Sequence, residues 1–154
     1  MLRVNDASSP LLRAATEADE AQIHSLLASS GLPTSDLKTS RPEFLVACEG
    51  ARIIGVGGVE RFGTTGLLRS VAVSDQHRGR GVGAVIVAAL ERHARDGGLH
   101  ELVLLTQTAA PFFEHHGYRA IERNSAPASV QASAEFRTLC PDSARCMLKG
   151  IRDP

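Results

Sequence analysis

The chain has 154 residues, of which 43% are hydrophobic, so it has the size of one domain that can bury a core. Lysine plus arginine equal aspartate plus glutamate at 17 each, which argues against a global positive field for nucleic acid or an anionic membrane. Tryptophan is absent, aromatic residues make up 4%, and no run of eighteen apolar residues occurs. We therefore expect a soluble, cytoplasmic single domain over residues 1–154, with tails at 1–9 and 150–154, that binds neither nucleic acid nor membrane.

The first half of the chain is predicted to form strands around a helical segment. Thr16 precedes three acidic residues, which is typical of a helix N-cap, and Gly31 with Pro33 ends that helix. The turns between the next three strands are too short for a crossover helix, so these strands should be antiparallel. The predicted elements are strand 11–15, a helix from Thr16, a possible short helix at 34–40, and strands 44–49, 52–62 and 66–74.

The second half opens with an amphipathic helix. Apolar residues recur at helical spacing from Val82 to Leu90, and Gly97 with Gly98 ends the helix. The remaining predicted elements are strand 101–106, a short helix at 108–117, strand 118–123, an irregular or partly helical segment, and a last strand within 143–151. The order is βααβββαβαββ.

The sequence QHRGRGVGA at 76–84 places glycines and arginines between a strand and this helix. A helix N-terminus has unpaired N–H groups and a partial positive charge, so it attracts anions, and glycine removes side chains that would block a phosphate. A dinucleotide-binding loop fits poorly, because five polar residues separate the strand from the first glycine, and a P-loop is excluded because no G-K-[ST] follows. A plain turn with solvated arginines is the alternative.

The pattern VAV followed by RGRGVG resembles the acetyl-CoA-binding signature of the GNAT (Gcn5-related) superfamily of N-acetyltransferases. The strand ELVLLT and the segment A-x-F-F-E-x-x-G-Y at 110–118 extend the resemblance to residues 11–123. It implies an α/β (α+β) fold: a mixed, mostly antiparallel sheet, flanked by helices and splayed between two central parallel strands, here 67–73 and 101–106.

The resemblance also implies a cofactor site for acetyl-CoA. Backbone groups of Val71, Ala72 and Val73 would pair with the pantetheine arm, and the loop after them would hold the pyrophosphate. The implied cofactor-binding residues are Val71, Ala72, Val73, Arg78, Gly79, Arg80, Gly81, Val82, Gly83, Ala84, Thr106, Phe112 and Phe113.

The implied activity is an acetyltransferase that moves the acetyl group of acetyl-CoA to the primary amine of a small molecule, by direct attack in a ternary complex. Phe113 stands where the family often has a tyrosine general acid, and it cannot donate a proton; Tyr118 falls on a structural aromatic position of the motif. Glu60, late in strand 52–62, is the candidate general base, working through water. The alternative for Glu60 is a surface glutamate paired with Arg61 or Arg69.

Three cysteines and six histidines suggest no metal site. His77 is expected on the surface beside the loop. Taken together, the stretches FLVA, GLLRSVAV, LLTQTAAPFFEHHGY and the C-terminal APASVQASAEF…LCPDSA-C-M resemble a branch of arsenic-resistance N-acetyltransferases. Cys140 and Cys146 could contact an arsenical or simply pack in the fold.

A catalytically degenerate acyl-CoA-binding or sensor module remains the alternative function, since Phe113 could mark lost catalysis. Family resemblance implies a monomer or a homodimer.

Overall fold

The computed structural model describes residues 10–152 of the chain. The predicted tail at 1–9 and the last two residues of the predicted tail at 150–154 lie outside these described residues. The prediction of a tail is wrong at Gly150 and Ile151. Gly150 ends the last strand, and Ile151 is buried in the core while its N–H donates to the carbonyl of His100 at 2.9 Å.

Seven strands and five α-helices occupy the described residues. Their order is the predicted βααβββαβαββ except for one additional short helix between the last two strands, in the segment predicted to be irregular or partly helical. The strands are β1 Leu11–Ala14, β2 Glu43–Glu49, β3 Arg52–Phe62, β4 Thr65–Val73, β5 Glu101–Thr106, β6 Arg119–Ile121 and β7 Arg145–Gly150. The helices are α1 Glu20–Ser29, α2 Leu37–Ser40, α3 Val82–Asp96, α4 Ala110–His115 and α5 Ala128–Gln131. Short 3₁₀ turns lie at Glu17–Asp19, Asp75–His77 and Arg123–Ser125, and a π-helical turn lies at Glu135–Leu139.

The strands form one mixed sheet in the order β1-β2-β3-β4-β5-β7-β6. All neighbouring strands are antiparallel except β4 and β5, which are parallel. The antiparallel hairpins of β2, β3 and β4 follow from their short turns, whereas the parallel pair requires the crossover through α3. The predicted fold class is confirmed.

Helix α3 lies against one face of the sheet because two glycines of β3 leave room for it. A Cβ atom at Gly55 would come within 2.6 Å of Ile86 Cδ1, and one at Gly57 within 2.6 Å of Leu90 Cδ1. Ile86 and Leu90 are fully buried there. The glycines that weaken β3 as a strand therefore let the helix and the sheet approach closely.

Helix α1 covers part of the opposite face of the sheet. Its buried Ile23 and Leu27 pack with Val46 and Val56. At the start of this segment, Asp19 accepts hydrogen bonds from Arg13 at 2.7 and 2.9 Å and from the backbone N–H of Thr16 at 2.7 Å. These bonds fix where the chain turns from β1 into α1 and hold the pKa of Asp19 well below its usual range.

Candidate active site

The two parallel strands at the centre of the sheet separate to form a cleft. β4 and β5 are paired only at Thr65–Glu101, Gly66–Leu102 and Leu67–Val103. Beyond Leu67, β4 stays paired with β3 and β5 with β7, so the strands diverge. The resulting cleft has a volume of about 590 Å³, and its walls include residues 68–73 of β4 and residues 104–109.

A β-bulge at Ser70 bends β4 at this cleft. The register with β3 shifts between Val56 and Gly58, and Ser70 has the left-handed φ of +58°, which is rare for a residue with a side chain. Such strained backbone persists only where the surrounding structure holds it, and it is common at functional sites. The bulge lies directly before Val71, Ala72 and Val73, and all three line the cleft.

The glycine-rich loop lies where β4 leads into α3. Gly79 and Gly81 have φ of +79° and +80°, which other L residues rarely adopt, although a Cβ atom at either position would meet no atom within 4 Å. Conformation rather than space therefore requires glycine here. α3 begins at Val82, and Val85 N donates to Gly81 O, so the amides of residues 82–84 precede the first helical hydrogen bond.

The predicted cofactor residues fall into two neighbouring regions. Arg78 lines the cleft, and its Nε donates to Val73 O at 3.1 Å while Nη1 contacts Asp75 at 2.8 Å. Arg80, Gly81 and Val82 line a separate pocket of about 190 Å³ beside it. Gly83 and Ala84 follow in the first turn of α3.

The residues predicted from the second family motif form the opposite wall. Thr106, Phe112 and Phe113 all line the cleft. The hydroxyl of Thr106 accepts the N–H of Ala109 at 3.0 Å, which fixes the turn into α4. A Cβ atom on Gly83 would lie 3.7 Å from the Phe112 ring, so α4 and the glycine loop are close neighbours.

Tyr118 lies behind this wall, where its ring packs in the core and its hydroxyl has a fixed hydrogen-bond partner. Its ring is buried and packs edge to face on Phe113 at 5.5 Å between centroids. Its hydroxyl donates to Glu91 Oε2 at 2.9 Å, and Lys149 Nζ binds the same carboxylate at 3.0 and 3.1 Å. Burial, with the charge of Glu91, raises the pKa of Tyr118 far above its usual value.

An ionic cluster centred on Arg69 lies at the bulge. The Arg69 side chain has no exposed surface; Nη1 donates to Asp36 Oδ2 at 2.6 Å and to Glu60 Oε1 at 2.8 Å, and Nη2 donates to Asp36 Oδ1 at 2.8 Å. Nη2 also lies 3.5 Å from Glu135 Oε2. Three carboxylates from separate parts of the chain therefore share one guanidinium.

Glu60, the predicted base, is therefore paired with Arg69 as one alternative stated, but it is buried at 8% exposure rather than on the surface. It does not belong to the residues that line the cleft, whereas Arg69, Ser70 and Glu135 do. Its role as base stays a prediction. Sequence reasoning missed Asp36, in the turn before α2, and Glu135, in the π-helical turn. Neither belongs to a motif, and no local signal could have identified them.

The prediction that His77 is exposed is wrong. The residue is only 6% exposed; Nδ1 lies 2.6 Å from Ser74 Oγ, and Nε2 lies 3.0 Å from the Glu49 carboxylate. His77 thus braces the turn that carries the glycine loop.

Cys140 lines the cleft beside Glu135, and Cys146 is buried in β7 opposite Leu105. Burial raises the pKa of each thiol to about 11. Within residues 10–152, no group of three or more His, Cys, Asp or Glu side chains is arranged so that it could hold a metal ion, and no helix is long and apolar enough to cross a membrane.

Comparison with known sequences places these features in a family. Residues 40–120 match the acetyltransferase (GNAT) domain. The chain is 39% identical over 80 residues to YjcF of Bacillus subtilis, an uncharacterized N-acetyltransferase, a match that covers 51% of this chain and 57% of that protein. It is 30% identical over 106 residues to CT2212 of Chlorobaculum tepidum, another uncharacterized N-acetyltransferase, covering 68% and 65%. The matches thus span less than two thirds of the length of these relatives.

Solved structures share the fold. Rv2747 from Mycobacterium tuberculosis, crystallised in complex with CoA, is 27% identical with a TM-score of 0.78, and the match covers 92% of this chain and 99% of that one. N-acetylglutamate synthase from Neisseria gonorrhoeae, complexed with coenzyme A and N-acetyl-glutamate, has a TM-score of 0.81 at 18% identity, covering 94% of this chain and 35% of that one. Because the domain match covers more than half of the sequence and the forked sheet agrees with it, this chain belongs to the GNAT acetyltransferase family.

Proposed function

We propose that this chain is an N-acetyltransferase that uses acetyl-CoA to acetylate a primary amine of a small molecule, by direct attack of the amine in a ternary complex. The observation that carries the proposal is the fork between β4 and β5, with a bulged strand on one wall and a glycine loop at the head of α3 beside it. A cytoplasmic location, where the cofactor and reduced thiols occur, is part of the proposal.

The residues around the fork fit coenzyme A. Residues 71–73 have no pairing with β5, so the edge of β4 that faces the cleft can pair with an extended chain of amides such as the pantetheine arm, although Val73 O already accepts Arg78 Nε. The left-handed Gly79 and Gly81 turn the loop before Val82, and the amides of residues 82–84 suit a diphosphate. Arg78 can add a charge at the end of β4. Rv2747, which shares this fold, was crystallised in complex with CoA, and this supports coenzyme A as the ligand.

Bound acetyl-CoA supplies the thioester carbonyl that the amine attacks. Backbone N–H groups near residues 71–73 would stabilise negative charge on the carbonyl oxygen, because donors held in a fixed strand need no reorganisation. Phe113 packs against Tyr118 and gives the cleft an apolar wall. With Tyr118 held by Glu91, we propose that solvent protonates the departing thiolate, whose conjugate thiol has a moderate pKa.

The acceptor is proposed to be small because the cleft, whose walls include residues 30–33 and Leu139, has a volume of only about 590 Å³ and must also hold the end of the cofactor. An amino acid or an amino-acid-like toxin fits this size. The resemblance of several stretches of the sequence to arsenic-resistance N-acetyltransferases adds an amino-acid-like arsenical to the candidates.

The first experiment measures free thiol release from acetyl-CoA in the presence of a panel of amines and amino acids. Amine-dependent release supports the transferase. Binding of acetyl-CoA without any amine-dependent release would contradict it and favour the sensor module, in which Phe113 marks lost catalysis.

A second experiment tests the cofactor site by calorimetry with coenzyme A. Arg78→Ala should weaken binding by about 10-fold or more, because a charge-assisted hydrogen bond contributes about 1.5 to 3 kcal/mol. Arg92→Ala, an exposed arginine of α3, is the matched control and should bind normally. Equal affinities in both variants would remove Arg78 from the site.

A further inference from the structure

We propose that Glu135, on the π-helical turn between α5 and β7, is the group that takes the proton from the attacking amine. The inference rests on the proposed transferase function, and it assigns the proton acceptor to a residue outside the two family motifs.

The first argument is that the three carboxylates contact the guanidinium of Arg69 unequally. Asp36 makes two hydrogen bonds to the guanidinium, at 2.6 and 2.8 Å, and Glu60 makes one at 2.8 Å. Glu135 has only a 3.5 Å contact. One positive charge cannot compensate three buried carboxylates, and Glu135 has the weakest share of it. Glu135 is therefore the member of the cluster that binds a proton most readily.

The second argument is access. Glu135 lines the cleft, together with Ser70 and Cys140, whereas Asp36 and Glu60 do not belong to its lining. The Glu135 side chain is only 5% exposed, so the carboxylate, at the wall of the cleft, is shielded from bulk water. A group in this position can exchange a proton with a bound amine while the other two carboxylates hold Arg69 in place.

The electrostatic surroundings agree with this geometry. Burial raises the pKa of Glu135, the charges of Asp36 and Glu60 raise it further, and Arg69 and the thiol of Cys140 oppose the shift only in part. Asp36 behaves in the opposite way: burial raises its pKa, but the hydrogen bonds from Arg69 and Ser40 outweigh burial and lower it.

These groups reach Glu135 from several elements. Arg69 comes from β4, Glu60 from β3, Asp36 from the turn before α2, and Cys140 from the end of the π-helical turn. Arg123, which donates to the carbonyl of Phe136, is a further charge near Cys140. A general base works best when its pKa lies near the working pH. The ordinary pKa of a glutamate lies below neutral pH, so raising it brings Glu135 closer to that optimum.

The proposed step balances as follows. The amine nitrogen forms a C–N bond to the acetyl carbon while the C–S bond of the thioester breaks, and the electron pair of that bond leaves with sulfur. The proton that the nitrogen loses passes to the carboxylate of Glu135. The thiolate takes a proton from solvent, and Glu135 returns its own proton to solvent before the next turnover.

The test is the pH dependence of turnover in Glu135→Gln. Ionised Glu135 is the active form, so the wild-type rate should rise with pH through the pKa of Glu135. Glu135→Gln should lose about 10²- to 10⁴-fold in kcat and should lack this rise. Affinity for acetyl-CoA should change by less than about threefold, because the diphosphate site lies elsewhere. Glu122→Gln, an exposed glutamate ahead of the same segment, is the matched control and should keep the wild-type profile.

Glu60→Gln separates the two candidate bases. If Glu135 is the base, the rise of rate with pH persists in Glu60→Gln and is absent from Glu135→Gln. The reverse result would overturn the proposal and assign the proton to Glu60. A wild-type rate and profile in Glu135→Gln would also overturn it.

A readout independent of turnover is the titration of the carboxyl carbon in protein labelled with ¹³C-glutamate. One glutamate should titrate above the ordinary range, and its signal should be missing from Glu135→Gln; titration of Glu135 in the ordinary range would contradict the proposal. If Glu135→Gln does not fold, Glu135→Asp replaces it, and the proposal then requires a shifted pH profile at similar affinity for acetyl-CoA. A wild-type chain that binds acetyl-CoA but acetylates no amine refutes the proposed function instead, and the titration still reports on Glu135.

Discussion

Replacing Arg69 with methionine should destabilise the fold strongly. Methionine fills a similar volume but leaves Asp36, Glu60 and Glu135 buried without a counter-charge. Breaking a buried ion pair by removing one partner costs about 3 to 5 kcal/mol. With an unfolding entropy of about 2.1 cal/mol/K per residue over 154 residues, this loss lowers Tm by roughly 9 to 15 °C.

The free energy of unfolding that Arg69→Met loses should depend on pH. In the variant, burial without the arginine raises the pKa of the carboxyls above their unfolded values, so stability falls as pH rises through the folded pKa. In the wild type, the lowered pKa of Asp36 contributes stability above its unfolded pKa that is lost as pH falls through the folded pKa. Both effects make the difference between the two proteins larger at pH 8 than at pH 4.

The assay is urea unfolding of the wild type, Arg69→Met and the control Arg61→Met at both pH values. Arg61 is a partly exposed arginine of β3 that pairs with Glu43 at 2.8 Å, and such surface pairs contribute about 0 to 1 kcal/mol. If Arg69→Met lost no more stability than Arg61→Met, or lost more at pH 4 than at pH 8, the cluster would not be the ionic network described.

Three further substitutions or modifications test the packing around the cleft. Tyr118→Phe should lower stability by about 1 to 2 kcal/mol, because Glu91 loses a buried donor, while kcat stays unchanged; a large loss of kcat would make Tyr118 an acid after all. Gly57→Ala should lower stability by about 1 to 3 kcal/mol in calorimetry, since its Cβ would lie 2.6 Å from Leu90, and an unchanged Tm would contradict the close packing of α3. Cys140, with a pKa of about 11 against an ordinary 9.0, should react with iodoacetamide about 100-fold more slowly than a free thiol at pH 8, and mass spectrometry of its peptide would reveal a faster reaction.

The regular elements were predictable because their causes are local. Strand 52–62, strand 101–106 and the helix from Val82 to Gly97 occur with the predicted bounds. Alternation, helical spacing and terminating glycines act between residues close in sequence, so one chain suffices to identify them. The divergence of 67–73 from 101–106 followed from the family resemblance rather than from a local pattern, and it is confirmed.

Local reasoning failed where burial depended on distant residues. His77 reads as a surface residue in a polar loop, but Glu49 and Ser74 enclose it. Ile151 lies in the predicted tail at 150–154, at the edge of the predicted last strand, but it is buried in the core with Leu99 and Leu102. In each case a partner on another element decides the burial, and no pattern in the neighbouring sequence carries that information.

By itself, the sequence determined the order of strands and helices, the glycine-rich start of α3 and the family to which the chain belongs. Only the tertiary structure decided which side chains meet at the cleft: the guanidinium of Arg69 lies 33 residues along the chain from Asp36 and 66 from Glu135. The physical reason is that backbone hydrogen bonding and helical or strand periodicity act over a few residues. The pairing of buried charges, by contrast, depends on how whole elements pack, and it is specified by shape and burial across the entire fold.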